Sequence, residues 1–313
     1  MIHRILGLHH VTATVDAAQP DLDFCIDLLG LRLVKKTVNF DNHHVYHFYY
    51  GNERGTPGTI WTTFPYRDRG VRVGVKGAGQ VVTTSFSVPA TAIDWWRNRF
   101  VAHDLTVRSC ERLDTSVLQV IDPSGLSIEL IGDANDRRPP WTGNGVDAGM
   151  AIRGLHSVTT IVKELGPTVR LMIDTLGFAI VAQEGARTRL AAGTDEPGHY
   201  IDVVEDPHAE TAVNGLGTVH HVAMSIGSAE EQVRLREVLL EMGLKVTEVR
   251  DRCYFTSIYF REPGGVLFEV ATLQPGFTID EDALTLGRAL KLPPWEEEHR
   301  ADIEAHLVPV RYA

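Results

Sequence analysis

One unit recurs four times along this chain, three times plainly and once faintly, and that repeat limits the possible folds more than composition does. Leu8-His9-His10-Val11-Thr12 returns as Leu155-His156-Ser157-Val158-Thr159 and as Val219-His220-His221-Val222-Ala223. Each run is short and suited to extended backbone, so each reads as a strand. A helical pattern follows, over 22–29, 169–176 and 233–242, with apolar residues at three- and four-residue spacing. Each helix is predicted to stop at a glycine, Gly30, Gly177 or Gly243, in the left-handed capping position. Twenty residues separate His10 from Gly30 and Ser157 from Gly177, and 22 separate His221 from Gly243. The faint copy runs from Thr84 to Asp104, again 20 residues, through Trp95-Trp96, for which core packing is expected.

The units also end alike. Asp122-Pro123-Ser124-Gly125 leads into a strand holding Glu129, and Glu262-Pro263-Gly264-Gly265 leads into one holding Glu269. Thr56-Pro57-Gly58 and Glu196-Pro197-Gly198 are looser versions of the same turn. Each unit therefore reads as strand, helix and three further strands, over roughly 5–65, 80–135, 152–206 and 217–275. A linker-like stretch from Pro139 to Gly145 divides them into pairs. The expected domains are residues 1–146 and 147–275, two units each, followed by a tail over 276–313 with a helix from about Glu296 to His306.

Composition removes several functional classes. Lys and Arg number 30 against 41 Asp and Glu, a net charge of −11, with no basic run to attract a phosphate backbone, so no nucleic-acid partner is expected. No apolar stretch approaches the roughly 18 residues of a membrane span. The N-terminal residues from Met1 to Leu6 show no long apolar leader. Cys25, Cys110 and Cys253 are scattered and form no C-x-x-C pair, which argues against disulfides and thiolate zinc. A reduced, cytoplasmic protein acting on a small molecule is expected, with a homo-oligomer left open.

A repeated βαβββ unit with a His on its first strand and a Glu on its last resembles the vicinal oxygen chelate superfamily of glyoxalases, extradiol dioxygenases and antibiotic-resistance proteins. The resemblance covers about residues 3–275 and implies an α+β fold of four modules in two tandem domains, with curved mixed sheets enclosing metal cups. First-strand positions are then His10, Thr84, Ser157 and His221. Counted from the turn proline, last-strand positions are Thr63, Glu129, Val203 and Glu269. If neighbouring units shared a cup, each cup would hold one His and one Glu. If the first and fourth units share one, it holds His10, His221 and Glu269 beside a neutral Thr63. We take the second arrangement, because two imidazoles and one carboxylate suit non-haem Fe(II) with open positions. Strand alternation lets only one imidazole of each His-His pair face the metal, barring a bulge. The other cup would keep Glu129 alone, in a structural role. Trp61 shares the parity of Thr63 and is expected to wall the cup.

Further motifs are more specific. Gly30-Leu31-Arg32-Leu33-Val34-Lys35-Lys36-Thr37, Tyr46-His47-Phe48-Tyr49-Tyr50, and the run from Gly264 to Thr272 are similar to those of ring-cleaving dioxygenases acting on hydroquinones. That resemblance, from the N-terminus to about residue 292, implies Fe(II) held by His10, His221 and Glu269, with O2 as co-substrate. Purified samples could carry another divalent metal. It also implies supporting roles for His9, Thr12, His220, Arg252 and Tyr259. His220 or His9 would take the proton of a bound diol, and Arg252 would hold negative charge on substrate or dioxygen. Tyr259 would donate a hydrogen bond to the same oxygens, and Thr12 would orient a neighbour. The implied activity is an extradiol-type, ring-cleaving dioxygenase of aromatic diols. The alternatives are a glyoxalase-type isomerase or lyase and a metal-free small-molecule binder. No role follows for His47.

Overall fold

The computed structural model describes residues 5–312; Met1–Arg4, part of the stretch read for a leader, and Ala313 lie outside the described residues. The predicted order of elements is observed four times. The first module runs β1 (Leu8–Val15), α1 (Ala18–Leu22, continued by π-helical Asp23–Leu28), β2 (Arg32–Asn39), β3 (Asn42–Gly51) and β4 (Ile60–Pro65). The second holds β5 (Gln80–Pro89), α2 (Ile93–Ala102), β6 (Arg108–Arg112), β7 (Thr115–Ile121) and β8 (Ser127–Asp133). The third holds β9 (Gly154–Val162), α3 (Leu165–Arg170, continued by π-helical Leu171–Thr175), β10 (Phe178–Glu184), β11 (Arg187–Ala192) and β12 (Tyr200–Glu205). The fourth holds β13 (Thr218–Ile226), α4 (Ala229–Glu241), the short β14 (Arg250–Asp251), β15 (Thr256–Arg261) and β16 (Leu267–Thr272). Gly30, Gly177 and Gly243 take φ of 69°, 78° and 83°, the left-handed cap that stops each helix. Asp104 fills the same place in the second module at φ 59°.

The modules combine across the halves of the chain. One eight-stranded sheet has the order β14-β15-β16-β13-β1-β4-β3-β2, so it joins the first and fourth modules. The other, β10-β11-β12-β9-β5-β8-β7-β6, joins the second and third. Both are curled half-barrels of mixed strands, with an antiparallel seam of first strands, β1 on β13 and β5 on β9. Val11, Ala13 and Val15 on β1 turn into a core that also includes Phe86 and Trp96. Trp61 enters it as well, edge-on to Phe86 at 6.2 Å, so it does not wall the cup as expected.

Counting from the turn proline slips the register by one residue in two modules. The glycine with positive φ lies two residues after proline in the second and fourth turns, Gly125 (94°) and Gly265 (95°). It follows proline directly in the first and third, Gly58 (83°) and Gly198 (90°). One residue reverses the face of every side chain in a strand. The cup position of β4 is therefore Thr62, which pairs with Thr12, whereas Thr63 turns away to donate a hydrogen bond to the buried Asp21. On β12 the position is Asp202 rather than Val203. A separate slip, in aligning the faint first strand, makes the β5 position Thr83 rather than Thr84, next to a register shift between Val81 and Thr83.

Glu129 is consequently not alone in the second cup. Arg112 grips it with two hydrogen bonds of 2.7 and 2.8 Å, and Ser85 adds one of 2.8 Å. Arg187 and Arg189 hold Asp202 at 2.7–2.9 Å. Guanidinium groups thus neutralise the carboxylates that a metal would need. Glu129→Gln is expected to leave metal content unchanged and to cost about 3 kcal/mol of stability, because Arg112 loses a buried counter-charge. Denaturant titration with metal analysis checks this, and a metal lost with that variant would disprove it.

The tail covers a sheet edge. Leu290 bridges to Lys36, and Lys291 N–H donates to the Lys36 carbonyl, so edge strand β2 is capped. Its helix α5 (Arg300–His306) follows a 3₁₀ segment, Pro294–His299. No helix among the described residues is long and apolar enough to cross a membrane.

Candidate metal centre

The sheet of the first and fourth modules brings His10, His221 and Glu269 together. His10 lies on β1, His221 on the neighbouring β13, and Glu269 on β16 beyond it. The Nε2 atoms of the two histidines are 3.3 Å apart, and Glu269 Oε2 lies 3.3 Å from His10 Nε2 and 2.8 Å from His221 Nε2. All three side chains are buried. Ser257, on β15, donates a hydrogen bond to the other carboxylate oxygen, Oε1. Oε2 has no hydrogen bond of good geometry at all. A buried carboxylate oxygen left so is costly, and two ring nitrogens aimed at the same point make a donor set that fits a divalent cation. Burial pushes the Glu269 carboxyl up, but His10 and His221 outweigh it and hold it well below the usual range. Burial lowers the His221 imidazole against the pull of Glu269.

A second layer of imidazoles supports the first. His9 Nδ1 lies 2.9 Å from His10 Nδ1, and His220 Nδ1 lies 2.7 Å from His221 Nδ1. A register shift between Leu8 and His10 opens the strand there, which lets His9 stay next to its neighbour's ring. If both Nε2 atoms are to offer lone pairs, His10 and His221 must carry their protons on Nδ1 and donate them to His9 and His220. Burial, then the neighbouring imidazole, lowers His9 and His220 to about 3, so both are neutral near pH 7.

His10 and His221 open into a cavity of about 380 Å³, with the fully buried Glu269 behind them. His10, Thr12, His220, His221, Arg252 and Tyr259 line it; His9 stays behind His10, packed on Phe255 at 4.8 Å. Phe40, Tyr49, Phe64 and Phe255 supply flat apolar walls. Arg252 Nε donates to Tyr259 Oη at 3.0 Å and Nη2 reaches Asp41 at 3.3 Å, on the cavity rim. Burial raises the Tyr259 phenol, so it keeps its proton. Thr12 Oγ1 meets Thr62 Oγ1 at 2.8 Å, and Thr62 meets His47 Nε2 at 2.9 Å. His47 lines the cavity and is thereby tied to its floor, a place that the sequence reading did not give it. Ser257 shares parity with Tyr259 on β15, and that signal was readable. Asp41 and Phe255 lie in loops, where periodicity says nothing.

Comparison with known proteins agrees with this architecture. Residues 154–270 match the family model described as the glyoxalase/bleomycin resistance protein/dioxygenase superfamily. MhqE of Bacillus subtilis (strain 168), provisionally named a ring-cleaving dioxygenase, is 41% identical over 95% of this chain and 96% of its own. The chlorohydroquinone/hydroquinone 1,2-dioxygenase of Sphingobium indicum is 37% identical over 93% of this chain and 92% of its own. A crystal structure of a provisionally assigned dioxygenase from B. subtilis superposes with a TM-score of 0.94 at 39% identity, covering 99% of this chain and 98% of that one. The chain belongs to the glyoxalase/bleomycin resistance protein/dioxygenase superfamily, in the group formed by these ring-cleaving dioxygenases.

Proposed function

We propose that the protein is an Fe(II)-dependent, extradiol-type dioxygenase that opens the ring of hydroquinone-type diols beside a hydroxyl-bearing carbon. The observation that supports this most is the unpartnered Glu269 Oε2 facing His10 and His221 Nε2 at the base of an aromatic-walled cavity. Bound there, Fe(II) would anchor a substrate oxygen and supply the electron path between diol and O2. The name of the Sphingobium indicum relative points to the same substrate class, and that of MhqE to the same reaction. With neutral Thr62 in the fourth place, the centre offers three candidate ligands, which leaves positions open for a substrate oxygen and O2.

The chain's own groups divide the remaining work. The aromatic walls orient the ring and exclude water. Arg252 holds negative charge on the deprotonated substrate oxygen, and Tyr259, positioned by Arg252, donates a hydrogen bond to it. His220, accepting from His221 at Nδ1, presents an Nε2–H donor to the cavity. In that tautomer it donates to substrate oxygens, and the proton of the diol leaves to water at the cavity mouth. His9 is a positioning residue that acts through His10, and Thr12 steadies the floor through Thr62 and His47.

Reduced, iron-loaded protein should consume O2 with hydroquinone, equimolar with ring loss, and use catechol more slowly. An oxygen electrode with anaerobic metal analysis reads both. If iron is bound and neither para- nor ortho-diols support uptake, the reading fails and a lyase or isomerase takes its place.

A further inference from the structure

A second convergence of ligand-type side chains lies outside the cavity, where α5 crosses the start of β3. His43 and His44 come from the start of β3, where a register shift leaves residues 43–45 outside the regular pairing with β2 and so frees both rings from strict alternation, and Asp302 comes from α5; one ligand atom from each lies within 4.8 Å of the others. His44 Nε2 and Asp302 Oδ2 are 3.0 Å apart, across 258 residues of sequence. His43 Nδ1 faces Glu296 Oε2 at 3.0 Å, and that oxygen is buried without a hydrogen bond of good geometry. A carboxylate on one ring nitrogen is how metal-binding histidines are commonly oriented, and it leaves the other nitrogen to the ion. His306 stacks on His44 at 4.1 Å with its Nδ1 2.8 Å from the Asp302 carbonyl oxygen, so its Nε2 is also left over. Among the described residues no Lys or Arg forms an ion pair with Asp302 or Glu296, which distinguishes this cluster from the arginine-filled second cup.

We infer that His43, His44 and Asp302 form a second divalent-metal site, of the zinc class, that fastens the C-terminal helix to the strand bordering the cavity. Two imidazoles and a carboxylate are a nitrogen–oxygen set that Zn²⁺ accepts, with water completing four positions. Ligand atoms around tetrahedral Zn²⁺ stand about 3.3 Å apart, so closure needs movements of about 1 Å from side chains at the surface. The consequence reaches the active cavity. Trp295 meets Phe40 edge-on at 5.6 Å, and Phe40 and Asp41 line the cavity mouth. A metal here would hold that rim through Trp295.

The test is calorimetric titration of Zn²⁺ into the full chain, already loaded with iron and kept anaerobic. One saturable equivalent is expected, with no iron released. His44→Ala and Asp302→Asn should each weaken zinc binding by at least about tenfold while leaving iron content, and turnover measured without added zinc, at wild-type levels. Zinc should also slow tryptic cleavage in the tail of the wild type and not of the variants. Absence of the extra equivalent, equal affinity in both variants, or zinc uptake matched by iron release would each overturn the assignment. Titration of the His221→Ala chain, whose inner set is incomplete, gives the same answer without relying on iron loading.

Discussion

His10→Ala, His221→Ala and Glu269→Ala are each expected to lose bound iron and all measurable oxygen uptake while keeping a folded chain. The three atoms involved lie within 3.3 Å of one another, so none has a substitute nearby. Thr62 is the only other residue at an equivalent strand position in this cup, and its hydroxyl is engaged with Thr12 and His47. A readout independent of turnover exists, because a ligand that binds only the native state stabilises it. At a hundredfold excess of metal over Kd the gain is about 2.7 kcal/mol, visible as a higher Tm. The wild type should show that rise on addition of Fe(II) or another divalent ion, and the three variants should not. Full iron retention by all three would remove the assignment; retention by one would remove that residue from it.

Arg252→Ala should keep iron and lose about 10²–10³-fold in kcat, the range for removing a fixed donor from developing negative charge. Arg252 is half-buried, directed by Tyr259 and anchored at the rim by Asp41. Its cation cannot be switched off by pH, and burial beside Asp41 and Tyr259 makes solvent a poor replacement. Tyr259→Phe removes one hydrogen bond and leaves the cation in place, so its loss should be about tenfold or less. The contrast in kcat at equal iron content is the informative quantity. Equal losses in the two variants would mean that Arg252 acts only by positioning Tyr259, and an unimpaired Arg252→Ala would exclude it from the chemistry.

The repeat was legible because it is written in local chemistry. Strand periodicity, helix periodicity and the left-handed glycines at 30, 177 and 243 depend on residues a few positions apart. The pairing of the first module with the fourth was reached by asking which arrangement would assemble two imidazoles and a carboxylate. The observed seam of β1 on β13 is that arrangement. The set His10, His221 and Glu269 needed no register correction, because Glu269 follows the longer form of the Pro-Gly turn.

The errors on the last strands have one physical origin, separate from the one-residue slip that put Thr84 in place of Thr83 on the faint first strand β5. A turn shortened by one residue before β4 and β12 reversed the faces of Thr62, Thr63, Asp202 and Val203, and moved Trp61 from the expected cavity wall into the core. Local sequence carries alternation but not its phase, and the phase depends on how many residues a turn consumes. The sequence alone determined the modules, their order and the candidate ligands. Only the tertiary structure decided what faces each cup: Arg112, Arg187 and Arg189 neutralise the carboxylates of one, while in the other Glu269 Oε2 is left without a hydrogen bond. Both outcomes depend on long side chains reaching across strands, a matter of three-dimensional distance that spacing along the chain does not encode.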